Sequence, residues 1–178
     1  MDSTDDSSRP IDDEFSWLDA NRFRRIEQAR DDLAAIWRCG VAPDLLEMLR
    51  DRLVVQFDQL DDLDAAVSNL SRFVLASRSP TALLALFERD QDALPALLQI
   101  FATGQPLANR LIADPESFDL MRASDGQPAQ RRYLVDELVA EIRGIDSASR
   151  AALAIRKFTS RELTRIAYGE FVRGLTPD

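Results

Sequence analysis

The sequence has 178 residues, a net charge of −9 and a composition that is 46% hydrophobic and 30% charged, the balance of a globular chain and not of a disordered one. It has no histidine and one cysteine, which excludes Ser-His-Asp and Cys-His catalysis, a histidine proton shuttle, an ordinary zinc site and an internal disulfide. A surface this acidic repels phosphate backbones, so nucleic acid is not an expected partner.

Residues Met1 to about Glu14 carry Asp2, Asp5, Asp6, Asp12, Asp13 and Glu14 against Arg9 alone. This stretch reads as a disordered acidic tail, not as a secretory signal, which needs a basic start and an apolar run. No uncharged apolar run approaches a bilayer span, so no membrane segment is expected. With its single cysteine, the chain is expected in the cytoplasm. From residue 15 onward, helical punctuation repeats almost without a break, and no segment shows strand alternation.

The first helix is predicted from about Asp19 to Cys39, capped by Asp19 or Asn21 and stopped by Gly40. Cys39 sits beside Trp37 and reads as a small buried hydrophobe, since no base is present to activate a thiol. A second helix is predicted after Pro43, with Asp44 and Glu47 as a capping-box-like start. The acidic cluster Asp58, Asp61, Asp62 and Asp64 reads as a turn into a third helix ending near Ala76; it lacks the glycine and the terminal glutamate of a calcium loop. Ser79-Pro80 is an N-cap and first-position pair, and Asp114-Pro115 repeats the device. Short helices are predicted over about 80–89, 93–103, 106–113 and 115–122. After the turn Ser124-Asp125-Gly126, two more follow, over about 128–143 and 147–173, stopped by Gly144 and Gly174. The fold class predicted is all-α: a compact orthogonal array of about eight or nine helices without a sheet, forming one domain over 15–178.

No catalytic motif is legible. The glycines are scattered as helix stops, so no loop can cradle phosphate through backbone N–H groups. A magnesium-dependent nucleotidyl-transfer site needs carboxylates on a rigid strand, and Asp125 lies in a turn with no second carboxylate two residues on. The catalytic, cofactor and metal residue sets are therefore expected to be empty.

The last helix carries the one distinctive pattern. At about 100° per residue, Ala152, Ile155, Phe158, Leu163 and Ile166 share an apolar arc expected to face the core. Arg150, Lys157, Arg161 and Arg165 form a neighbouring stripe with Tyr168 beside them. That stripe reads either as a solvated helix face or as an outward docking surface for an acidic or phosphate-bearing partner. Glu162 projects within the apolar arc and, if buried, needs an arginine or backbone partner.

The stretch from Ser79 to Arg122, with Asp114, Pro115, Glu116 and Asp119, followed by Ala154 to Leu175, resembles the glutamine synthetase adenylyltransferase/deadenylylase family. In the second stretch Arg156, Lys157, Phe158, Arg161, Glu162, Leu163, Arg165, Ile166 and Ala167 stand on the family's helical pattern. Members continue into a glycine-rich turn and a Ser-Asp-x-Asp metal motif, and neither stands within the sequence up to Asp178. The resemblance implies a helical part, or a short relative, of a regulator of nitrogen assimilation that uses magnesium and ATP or phosphate elsewhere. It also implies no cofactor in this chain, no adenylyl transfer by it alone, and as partners the family's catalytic domain and glutamine synthetase. The competing reading is a free-standing helical protein–protein interaction module.

Overall fold

The computed structural model describes residues 15–173 apart from 125, 126 and 128; the side chains of residues 120 and 170–173 also lie outside the described set. The expected acidic tail, the turn through Asp125 and Gly126, the start at Pro128 and the Gly174 stop fall outside the described residues. Among the described residues every regular element is a helix: α1 (Ile26–Trp37), α2 (Pro43–Phe57), α3 (Leu63–Ala76), α4 (Pro80–Arg89), α5 (Ala93–Thr103), α6 (Gln105–Ala113), α7 (Ser117–Ala123), α8 (Arg131–Ile142) and α9 (Ala148–Arg173). The protein is all-α, as the recurring caps and stops predict. The chain divides into two compact units, residues 1–105 and 106–178, where the sequence reading takes 15–178 as a single domain. Among the described residues, no helix is long and apolar enough to cross a membrane.

The first unit is organised by α3, which packs against both α1 and α5, while α2 packs on α4. Each helix contributes one apolar face: Leu33 and Ile36, Leu49 and Leu53, Leu70 and Phe73, Leu84 and Phe87, Leu97 and Phe101, all essentially inaccessible to water. Burying each such side chain contributes roughly 1.5–3 kcal/mol. The rings of Phe73 and Phe101 meet edge-on at 5.6 Å, which locks α3 to α5.

The local start signals divide into two groups. Ser79 caps α4 through its hydroxyl, which accepts from the Ala82 N–H at 3.2 Å, with Pro80 in the first turn. Asp62 caps α3 by accepting from Ala65 N–H at 3.0 Å. Gly40 takes a φ of 83°, the left-handed geometry expected of a stop after α1.

Three expected starts are corrected. The first helix begins at Ile26, not Asp19, because Asp19 closes a tight turn by accepting from Asn21 N–H at 2.9 Å. The carboxylate at the start of α1 comes instead from α3: Asp64 accepts from the N–H groups of Arg24 and Arg25, each at 2.9 Å. The second helix has Ala42 at its cap with no side-chain hydrogen bond, because Pro43 is already its first residue and Asp44 lies inside the first turn. The helix expected at Pro115 begins at Ser117, since the Asp114 carbonyl accepts from the Ser117 N–H at 3.1 Å and its hydroxyl at 2.6 Å, turning the chain first.

Arginines close the opposite ends. Arg52 donates to the carbonyls of Phe87, Glu88 and Asp90, so α2 supplies the groups that satisfy the C-terminal end of α4. Arg22 donates to the Phe57 carbonyl and pairs with Asp58 at 2.6 Å. The acidic cluster between α2 and α3 is thus spent on turns, caps and an ion pair.

The second unit is built on α9, against which α7 and α8 pack. Ala108 and Leu111 of α6, Phe118 and Met121 of α7, and Phe158 and Tyr168 of α9 are buried. α8 has no fully buried residue: Leu134, Leu138 and Ile142, spaced by four, are only half-buried. Gly144, at φ 88°, reverses the chain so that α8 and α9 form an antiparallel hairpin.

Candidate functional site

α9 holds nearly all the residues the sequence singles out, and the structure divides each of the two faces expected for it. Of the arc expected to face the core, Phe158 is buried, but Ile155 is 41%, Leu163 44% and Ile166 39% exposed. Of the stripe expected to face outward, Arg150 and Lys157 are exposed, Arg161 and Arg165 are half-buried and Tyr168 is buried.

The reason is electrostatic and local to the hairpin. The guanidinium of Arg161 donates to Glu137 at 2.7 Å and to Glu141 at 3.0 Å, both on α8, and lies 5.0 Å above the Phe158 ring. Glu162, buried within the unit, is paired with Arg165 one turn on and lies 3.7 Å from Arg161. Arg161 therefore joins α9 to two carboxylates of α8, while the Arg165–Glu162 pair closes within α9. A group of this kind contributes orientation more than net stability, because desolvating the charges offsets much of their attraction. It also meets the requirement that a buried Glu162 have an arginine partner. Arg161 and Arg165 are thus internal fasteners, and of the cations expected to be free for a partner only Arg150 and Lys157 stand in the open.

The ion pairs also fix which side of the hairpin is which. A helix turns by about 100° per residue. Along α8, Glu137 faces the arginine, Leu138 faces α9, and Val139 comes out on the far flank. Along α9, Arg161 faces the glutamates, Glu162 is buried, and Leu163 comes out on the same far flank. Val135 lies one turn from Val139, and Ile155 and Ile166 lie within a fraction of a turn of Leu163. Val135 and Val139 are 51% and 41% exposed. Five aliphatic side chains therefore stand bare on the flank opposite the ion pairs. The sequence reading missed the α8 half of this face. The signal was present: Leu134, Val135, Leu138, Val139 and Ile142 cover a wider arc than one packing contact needs.

Arg150 borders a 270 Å³ hollow at the turn between α8 and α9, lined also by Gly144, Ile145, Asp146 and Ser147. Asp146 places a carboxylate in that hollow, which opposes an anion there. In the first unit a 370 Å³ cleft is lined by Asp51, Arg52, Val55, Gln56, Gln91 and Pro95. Its one cation, Arg52, is committed to the end of α4. Among the described residues no group of cysteine and carboxylate side chains is arranged to hold a metal ion. Cys39 is half-buried beside the first core.

Comparison with protein-family models, with curated proteins and with solved structures finds no match for this chain.

Proposed function

We propose that the chain is a non-catalytic helical segment, or a short relative, of the glutamine synthetase adenylyltransferase/deadenylylase, acting as a scaffold that a catalytic nucleotidyltransferase domain docks on. The observation that carries this reading is the convergence of the two family-like stretches. Asp114 to Asp119 lead into α7, Arg156 to Ala167 lie on α9, and α7 packs directly against α9. Of the charged members of the second stretch, Arg161 joins α9 to α8, Glu162 and Arg165 pair with each other along α9, and Arg156 and Lys157 are exposed. Its aliphatic members, Leu163 and Ile166, remain in solvent, as a scaffold with a further docking partner requires.

The bare face by itself also favours the broader reading, a helical protein–protein interaction module outside that family. One assay separates the two. Glutamine synthetase and labelled ATP are incubated with a nucleotidyltransferase segment of the adenylyltransferase family, with and without this chain. The family reading expects no label transfer from this chain alone, a complex with the catalytic segment, and faster transfer in its presence. Chelator-sensitive transfer by the chain alone would overturn the non-catalytic assignment. Absence of both complex and stimulation would leave the interaction module as the surviving reading.

A further inference from the structure

The flank of the α8–α9 hairpin opposite the ion pairs combines an apolar centre with a charged border. Its centre is Val135, Val139, Ile155, Leu163 and Ile166. The same 100° steps that put these residues on one flank put Arg132 and Arg143 of the α8 side and Arg156 of α9 at its edges. All three are exposed, and among the described side chains the exposed acid at that border is Asp136. On a chain of net charge −9 this is a local inversion of sign. We propose that this face is a docking surface for an acidic amphipathic helix of a partner protein.

The chemistry of the border selects this occupant. An apolar seam excludes water and supplies most of the affinity, whereas rim charges set which partner is steered in and in what register. Arg143 and Arg156 call for carboxylates, which their planar forks engage in two places at once, and Arg132, whose guanidinium donates to the Tyr133 hydroxyl at 2.6 Å, adds its charge to the border. The seam lies along two antiparallel helices, and the furrow between such a pair accepts the ridge of a third helix. A second copy of this chain fits poorly. An isologous contact brings each patch against itself, so the arginine border would meet an arginine border.

The inference rests on the scaffold reading only in requiring a partner, and its test uses no glutamine synthetase, so either can fail alone. The probe is a fluorescein-labelled peptide of about 20 residues, helical by design, with leucines along one face and glutamates flanking them. Its twin has lysines in place of the glutamates. With the full chain, anisotropy is expected to show the glutamate peptide binding at least about tenfold more tightly than its twin, a preference that shrinks as salt rises. Leu163→Ser with Ile166→Ser, and separately Val135→Ser with Val139→Ser, should each weaken binding by about tenfold or more. Replacing Arg132, Arg143 and Arg156 together by glutamate should reverse the preference between the twins.

Equal affinity for both peptides would overturn the proposal, as would a preference that survives the arginine replacements. Sedimentation that shows a dimer dissolved by the serine changes would assign the face to a second copy instead. Binding to phosphatidylserine vesicles with no preference between the peptides would assign it to a lipid surface. The two serine pairs lie on different helices, so a folding defect in one, read by its melting curve, leaves the other to decide.

Discussion

The two units use their apolar surface in opposite ways. In residues 1–105, each of the five helices α1 to α5 turns an apolar face inward, and side chains of neighbouring helices satisfy several backbone groups. Asp64 holds the start of α1, Arg52 holds the end of α4, and the Ser71 hydroxyl donates to the Asp32 carbonyl at 2.7 Å. In residues 106–178, α8 buries no residue fully and α9 leaves aliphatic side chains in water while drawing arginines inward. A unit that satisfies itself reads as a stable platform. A unit that fastens its helices by charge and leaves aliphatic groups bare reads as one with a surface left for something else.

Mutagenesis can break or sharpen that contrast. The largest effect is expected in the first core. Phe87→Ala or Phe73→Ala removes a ring with no exposed surface and should cost about 3–5 kcal/mol in denaturant unfolding. A loss below about 1 kcal/mol would mean that this core is not the platform described.

Next comes the charge cluster of the hairpin. Arg165→Ala leaves the buried Glu162 without its nearest partner and should cost about 3 kcal/mol. Arg161→Ala, whose partners on α8 are more exposed, should cost nearer 1 kcal/mol and less in high salt. Stability unchanged in both variants would return these arginines to the role of free docking cations.

A tertiary cap should rank close behind. Asp64→Ala removes the carboxylate that accepts from two backbone N–H groups and is expected to lower stability by about 2 kcal/mol. Asp44→Ala, at the position the sequence offered as a cap, should stay within about 0.5 kcal/mol. Equal losses at the two sites would show that the distinction between them is unfounded.

The smallest effect on folding is expected on the bare face. Leu163→Ala and Val139→Ala should each shift the unfolding free energy by no more than about 0.5 kcal/mol, since both side chains already stand in water. Amide exchange offers an independent check. The amides of α8 should exchange well before those of α3, because local opening of α8 exposes little apolar surface. Protection of α8 equal to that of α3 would erase the difference between the units.

Much of the fold is written locally. Ser79-Pro80, Asp62, Gly40 and Gly144 each act within a few residues of themselves, and each does in the structure what its type predicts. A hydroxyl or carboxylate at an N-cap and a glycine at positive φ need no distant partner, so the class of fold and most helix boundaries follow from sequence alone. Asp64 shows where that stops. It lies inside the acidic cluster read as a turn, yet it satisfies the backbone of residues 24 and 25, and nothing near it in the chain announces that reach.

The orientation of α9 shows the same limit more plainly. Its sequence offers an apolar arc and a cationic stripe, and periodicity alone assigns the apolar arc to the core. What sits beside the helix is α8, whose inner edge carries Glu137 and Glu141, and those carboxylates draw in Arg161 while Leu163 and Ile166 turn to solvent. The sequence by itself determined that 148–173 is a helix, because caps and hydrogen bonds between residues four apart are properties of a short stretch of chain. Only the tertiary structure decided which face of that helix is hidden, because burial depends on the groups that distant residues bring opposite it.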